Sequence, residues 1–540
     1  MTHRSVSSVV SFLVLPVVFW AGCGPELAPP ELASAEVERA DPIESALWGD
    51  RQLEALFTPD DDPIEVEVAL IRSIIDERAS DPATYTFADN PYRVRYAVYN
   101  LRNADVVDAL VDARDAGVAV QVLLEDSQLD PARDWNWADD HLVASGFGFA
   151  PDHRDLSEEA RRTTELIGIG GSGLMHLKLR LFQSPTRHLA VSGSMNPGDN
   201  AVNNDETWHL VRHPELVSLY ADGYDRLLLE QGFHNAWSDE RGANVLFTPT
   251  DEGPEAGDRI LQWVAEEDEQ ILLMVYSLRD ITSPERTDSL VAILADRVAA
   301  GVPVILVTDR KQSDSWGDTT EDRLRDVGVR VYEATNEAGE FNAMHHKVAI
   351  LGRTDVRVIT DAANWSTSGL GSARTRAKNV ESSLFIEPSF DGGHLGRRYL
   401  AQALRVLERY AAQSADDGEA PFADLAPLLW EHPDWPRQPV TFYAHEARTI
   451  WGEQIRVLGD DPELGMWGKE GAGVALSTDA SIYPSWTGGP AFLPVGRPVE
   501  YKLVAEQSGG IRWENGDNRS FTVLAPPFGD GELIVESPWR

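Results

Sequence analysis

A strand–helix–strand pattern occurs twice in this chain, and that duplication limits its fold more than any other feature. The first copy is YRVRYAVYNL, Tyr92 to Leu101, followed by VVDALVDARDAGVAVQVLLED, Val106 to Asp126. The second is QILLMVYSL, Gln270 to Leu278, followed by LVAILADRVAAGVPVILVTD, Leu290 to Asp309. The outer segments are short apolar runs rich in Val, Ile and Leu, as expected of strands covered on both faces. Between them, apolar residues recur at three- and four-residue spacing, which is the face of a helix. Gly117 and Gly301 stand where each helix must end. The lead-ins match too: Leu56-Phe57-Thr58-Pro59 and Leu246-Phe247-Thr248-Pro249. A strand returning through a helix to a neighbouring strand implies a parallel pair and an α/β layer. The fold class is therefore α/β, with two pseudo-symmetric domains.

Each copy carries a His-x-Lys on an apolar strand: His176 and Lys178 in the first, His345 and Lys347 in the second. Residues two apart on a strand share a face, so each histidine sits beside its lysine. Downstream of the first lie Gly193-Ser194-Met195-Asn196 and Asn204-Asp205-Glu206. Downstream of the second lie Asp361-Ala362-Ala363-Asn364 and Asn379-Val380-Glu381. A lone His-x-Lys carries little weight. The same triplet at the same place in both copies, each followed by Asn and then Asn-x-Glu, points to one site in which His176 and His345 meet.

These residue types suit phosphodiester cleavage. One neutral imidazole attacks phosphorus, and the other exchanges a proton with the leaving and entering oxygens. Lys178, Lys347, Asn196 and Asn364 supply charge and donors to the phosphoryl oxygens. Glu206 and Glu381 accept from a ring nitrogen and fix each histidine's tautomer. No cluster of His, Cys or carboxylates calls for a metal, and no cofactor is expected.

Residues 50 to 410 resemble the phospholipase D superfamily, whose signature is His-x-Lys, an Asp after four further residues, and a later Gly-Ser-x-Asn. The resemblance implies two α/β domains sandwiching one site. By position it carries catalytic roles onto His176, Lys178, Asn196 and Glu206, with Ser194, and onto His345, Lys347, Asn364 and Glu381. It makes His176 the nucleophile and His345 the acid. Gln183 and Gly352 stand where the signature has Asp, and Asp361-Ala362 stands where it has Gly-Ser. Those departures leave two readings open, a working site and a retired one.

With 540 residues the chain needs several domains. The expected boundaries are 51–238 and 239–412 for the two copies, 413–437 for a proline-bearing linker, and 438–540 for a short-stranded module rich in Trp and Tyr. That module reads as an all-β, immunoglobulin-like sandwich. It resembles the family 20 starch-binding module through Thr449-Ile450-Trp451-Gly452, Pro462 to Trp467, Tyr483-Pro484-Ser485-Trp486, Glu500-Tyr501-Lys502 and Trp513 to Arg519. The resemblance implies one glucan site from Trp467, Lys502, Trp513, Glu514 and Asn518. It implies a second from Trp451, Tyr483 and Trp486. Indole faces stack on sugar rings while polar side chains bond to the hydroxyls.

At the other end, Ser5 to Trp20 is mostly apolar and is followed by Ala21-Gly22-Cys23. This reads as a signal peptide over 1–22, resembling that of bacterial lipoproteins, with lipid added at Cys23 and a flexible linker over 23–50. Cys23 is the one cysteine, so no intrachain disulfide forms. The expected address is an exported lipoprotein of a Gram-negative-type bacterium, at the outer membrane or cell surface. A net charge of -41 disfavours nucleic acid as a partner. The expected partners are a phosphodiester substrate, with phospholipid among the candidates, starch or a related α-glucan, and a membrane reached through the lipid. A phosphodiesterase or phosphatidyl transferase is the leading reading. An inactive surface glycan-binding protein and a superfamily nuclease are the alternatives. No paired-carboxylate site supports a glucan hydrolase.

Overall fold

A computed structural model describes residues 36–38, 42–129, 137–283, 285–286, 288–313, 315–317, 319–414, 418–469, 471–508, 510–526 and 531–540. The apolar run at the N-terminus and Cys23 lie outside the described residues. No helix among the described residues is long and apolar enough to cross a membrane.

The duplication is a duplication of sheets. In the first, the strands run in the order Leu53–Thr58, Glu206–Val211, His188–Gly193, Lys178–Gln183, Arg93–Val98, Ala119–Glu125, Leu166–Ile169, Phe149–Ala150. In the second, the order is Ala243–Thr248, Glu381–Ile386, Arg357–Asp361, Lys347–Leu351, Ile271–Val275, Val304–Asp309, Arg330–Ala334. Position by position the two match, apart from the short Phe149–Ala150 edge. The parallel pairs are the ones the sequence implied, Arg93–Val98 with Ala119–Glu125 and Ile271–Val275 with Val304–Asp309. In both copies the His-x-Lys strand is antiparallel to the first strand of that pair.

One hydrophobic cluster lies between the sheets and takes residues from both, among them Leu179, Tyr220, Phe247, Val348 and Leu384. Separate clusters fill the outer faces, under helices such as Pro63–Ala79 and Ala104–Asp115 in the first copy and Ala256–Glu266 and Leu290–Ala299 in the second. The long helix His394–Ala411 has a buried face that includes Tyr399, Leu404, Leu407 and Tyr410, all part of the shared cluster. The two halves thus share one core and are not two beads on a string.

The stretch 413–437 is more than a linker over its described part. It holds the helix Phe422–Trp430, which opens after Pro421 and buries Leu425 and Leu429. Trp435 is buried in the same core and donates from Nε1 to the Val495 carbonyl at 2.9 Å. Two of the prolines that suggested a tether, Pro421 and Pro427, sit at the start of this helix and within it. Residues expected as linker before 51 also carry structure: Pro42–Trp48 is helical, and Glu36–Glu38 pairs with Leu533–Pro538.

The C-terminal module is two facing sheets with its own core around Val440, Phe442, Tyr501 and Phe521. It is seated against the long helix. Arg398 donates to the Ala525 carbonyl at 2.8 Å, and Gly496 lies so close that a Cβ there would meet Leu404 Cδ1 at 2.2 Å.

Candidate active site

Each His-x-Lys segment is held by the other copy. The Met175–His176 backbone bridges to Val380, and Met344–His345 bridges to Asp205. His176 N–H donates to the Val380 carbonyl at 2.9 Å, and His345 N–H to the Asp205 carbonyl at 3.0 Å. Those carbonyls belong to the middle residue of each Asn-x-Glu. The flanking side chains complete the grip. Asn379 Oδ1 accepts Leu174 N–H at 3.1 Å, and Asn204 Oδ1 accepts Ala343 N–H at 3.0 Å. His176 Nδ1 lies 2.7 Å from Glu381 Oε2, and His345 Nδ1 lies 2.7 Å from Glu206 Oε2. The sequence placed a glutamate beside each histidine. The structure crosses them, so that each histidine is oriented by the opposite half.

A carboxylate only accepts, so Nδ1 carries the hydrogen of each ring and the lone pair is left at Nε2. That edge of each ring makes no hydrogen bond among the described residues, which is the form a nucleophile or proton acceptor requires. The asparagines of the clamp also donate to the second oxygens of their glutamates, Asn204 to Glu206 at 3.1 Å and Asn379 to Glu381 at 3.2 Å.

The lysines repeat the symmetry. Lys178 Nζ donates to the His176 carbonyl and Lys347 Nζ to the His345 carbonyl, each at 2.7 Å. Both lysines are buried. Burial pushes Lys178 down to about 8 and Lys347 down to about 7, with nearby Glu206 and Glu381 opposing. Burial also lowers both histidines, His345 to about 4; Glu381 opposes at His176 and Glu206 at His345. Burial works against the charge of Glu206, but the His345 ring, Lys347 and the Ser194 hydroxyl hold its carboxyl below its usual range. The site is therefore two neutral imidazoles over two lysines whose protons are loosely held. An anion arriving there would strengthen the lysines' and histidines' hold on protons.

Two tyrosines at the site went unread in the sequence. Tyr99 lies 5.2 Å from the His176 ring and Tyr276 lies 4.4 Å from the His345 ring, centroid to centroid. Lys178 Nζ stands 5.6 Å from the Tyr99 ring and Lys347 Nζ 4.8 Å from the Tyr276 ring. The signal was present, since a Val-Tyr closes the first repeated strand in both copies. Beneath them, Glu125 Oε2 accepts Met175 N–H at 2.5 Å, and Asp309 lies near the Met344 N–H in the second copy. Asn196 and Asn364 are half-buried, and the Oδ1 of each is without a hydrogen-bond partner among the described residues.

Asp361, which stands where the motif has Gly, is engaged by the opposite copy. Tyr220 Oη donates to its Oδ2 at 2.8 Å, and the Ser192 hydroxyl donates in turn to Tyr220 Oη at 2.8 Å. It is buried between the copies, and burial raises its carboxyl to about 6.

In the C-terminal module Trp467 and Trp513 lie 6.4 Å apart, centroid to centroid. Gly465, Met466 and Trp467 are all left-handed, with φ of 75, 48 and 56°, a strained turn that sets the Trp467 indole beside Trp513. Lys502 Nζ reaches the Gly516 carbonyl at 2.6 Å, and Asn518 reaches Glu500 at 2.9 Å. Glu514 belongs elsewhere. It is buried, and its carboxylate is bonded twice to Arg519 at 3.0 and 2.8 Å and once to Leu503 N–H at 2.9 Å, so its side chain braces the sandwich. Trp451 is 99 % exposed and Tyr483 is 48 % exposed. Trp486, expected beside them, is core instead: it is 7 % exposed and its Nε1 donates to the Ala447 carbonyl at 3.0 Å.

Residues 88–228 match the family model described as cardiolipin synthase, PLD-like domain, and residues 437–527 match the one described as starch binding domain. Among curated proteins, the thermophilic beta-amylase of Thermoanaerobacterium thermosulfurigenes is 34 % identical over 98 residues, which are 18 % of this chain and 17 % of that enzyme. The AA13 family lytic polysaccharide monooxygenase A of Aspergillus terreus is 41 % identical over 105 residues, 19 % of this chain and 25 % of that protein. The chain spans a quarter or less of the length of these relatives. Among solved structures, phosphatidylserine synthase of Haemophilus influenzae aligns with a TM-score of 0.40 at 11 % identity, covering 69 % of this chain and 89 % of that one. The chain therefore joins a phospholipase D-like α/β region to a C-terminal starch-binding sandwich of family 20.

Proposed function

We propose that the chain is a phospholipase D-like phosphodiesterase or phosphatidyl transferase that works through a phosphohistidine. In this reading the starch-binding module holds it on an α-glucan, and a lipid on Cys23 holds it at the outer membrane or cell surface. The observation that carries the enzymatic part is the reciprocal clamp, in which both Asn-x-Glu segments grip the opposite His-x-Lys. A retired site has no need to keep two buried lysines beneath two oriented imidazoles, because buried charge is costly.

His176 Nε2 attacks phosphorus as the bond to the leaving oxygen breaks. That oxygen takes a proton from His345 Nε2, and water or an alcohol later returns one. The Glu381 carboxylate steadies the positive charge that develops on the phosphorylated ring. Lys178, Lys347, Asn196 and Asn364 surround the phosphoryl oxygens and stabilise the extra charge of the transition state. His345 is pushed to about 4 in the free site, so substrate binding has to bring it a proton.

Hydrolysis of bis-p-nitrophenyl phosphate, phosphatidylcholine and DNA by the purified chain, beside His176→Ala and His345→Ala, tests this. Activity on at least one substrate, lost in both variants, is expected. Equal inertness of all three proteins would leave a glycan-binding protein without catalysis. Retention on starch resin tests the module, and release of a Cys23→Ser variant from membranes tests the anchor.

A further inference from the structure

The two half-sites share their histidine–glutamate and lysine–carbonyl contacts, and they differ at one of the two glutamates. The histidine–glutamate distances are both 2.7 Å and the lysine–carbonyl distances are both 2.7 Å. Glu206 Oε2, however, accepts a second hydrogen bond, from Ser194 Oγ at 2.7 Å. Thr207 N–H donates to that same Oγ at 2.8 Å and so aims the hydroxyl hydrogen at the glutamate. The equivalent residue in the second copy is Ala362. Its N–H bonds to the Ser382 carbonyl as that of Ser194 bonds to the Thr207 carbonyl. Alanine has nothing to donate. Among the described residues Glu381 Oε2 is left with His176 alone.

A hydroxyl hydrogen bond draws off part of a carboxylate's negative charge and weakens its hold on a second donor. Glu206 is therefore the weaker partner for an imidazole, and Glu381 the stronger. We propose that the Ser194–Ala362 difference makes an otherwise twofold site directional, Glu381 driving His176 as nucleophile and the Ser194-quenched Glu206 leaving His345 as proton donor. Ser194 is thus a positioning residue that acts through Glu206, and Ala362 is a functional substitution. This rests on the phosphohistidine reading above.

The steps balance without a further reactant. The His176 Nε2–phosphorus bond forms as the phosphorus–oxygen bond to the leaving group breaks. The leaving oxygen receives the His345 Nε2 proton. Water oxygen then bonds phosphorus and returns a proton to His345, and the nitrogen–phosphorus bond breaks to restore neutral His176.

The test uses the full chain and bis-p-nitrophenyl phosphate, quenched in base during turnover, with the phosphorylated peptide located by mass spectrometry. The adduct is expected on His176 in the wild type. Ser194→Ala with Ala362→Ser together should move at least half of it to His345. A double variant with wild-type melting behaviour that keeps all adduct on His176 overturns the proposal. Should Ala362→Ser not fold, Ser194→Ala and Ser194→Cys decide. Each should raise the alkaline limb of the kcat profile, by about half a pH unit, because the proton donor has become more basic. An unmoved limb in both overturns the proposal. An active wild type with an adduct on neither histidine overturns the phosphohistidine reading and this proposal with it.

Discussion

Lys347→Met should make this protein more stable while stopping its chemistry. Lys347 is buried under the site and pushed from its usual 10.5 to about 7, chiefly by burial. Holding it charged in the fold at pH 6 is disfavoured by about 5 kcal/mol, at about 1.36 kcal/mol per tenfold change in the proton equilibrium. Methionine is a flexible apolar side chain that can fill much of the same space. It gives up the hydrogen bond to the His345 carbonyl, a loss of about 1–2 kcal/mol. The net gain is about 3 kcal/mol, or roughly 5 °C in melting temperature. The sign with pH follows from the lowered value. Below pH 7 both folded and unfolded wild type carry the proton and the full penalty applies. Between pH 7 and about 10.5 only the unfolded chain keeps it, so wild-type stability rises with pH and the gap to the variant closes. Melting by calorimetry at pH 6, 8 and 10 measures this, beside kcat on bis-p-nitrophenyl phosphate, which should fall about 10²–10³-fold. A variant that melts below wild type at pH 6, or a gap constant from pH 6 to 10, refutes the reasoning.

Three other outcomes are expected. Glu381→Gln should lower kcat by about 10³–10⁴-fold with little change in KM, since an amide can hold the wrong tautomer of His176; a loss below tenfold would show that the clamp does not serve catalysis. Trp467→Ala and Trp513→Ala should each abolish retention on starch resin in a folded module, whereas Trp486→Ala should unfold the module, at about 3–5 kcal/mol, as seen by circular dichroism. Gly496→Val should loosen the module from the long helix, because a Cβ there meets Leu404 and the backbone is left-handed at φ +77°; limited proteolysis should then release an intact module of about the expected size, and an unchanged digestion pattern would count against rigid docking.

The duplicated sheet, the two His-x-Lys strands and the paired Asn-x-Glu segments were legible in the sequence because each is a local pattern repeated at matching positions. The crossing of glutamates between halves was not legible. Spacing along the chain says which residues a copy owns, but not which face it turns to its twin. The role of Asp361 was hidden for the same reason: its partner, Tyr220, lies in the other half. Glu514 and Trp486 carry residue types that bind sugars, yet Arg519 and the Ala447 carbonyl satisfy them inside the sandwich. The helix Phe422–Trp430 was hidden among prolines that usually mark a tether, and only its packing against the shared core reveals it.

The crossed grip also constrains how such a chain can change. A substitution at Asn204 or Glu206 damages the histidine of the second copy, and one at Asn379 or Glu381 damages that of the first. Neither half can be repaired by reverting its own histidine strand. The duplicated halves are bound to drift together, as two genes locked in one reading frame, and a chain that loses either half is left with no oriented histidine at all.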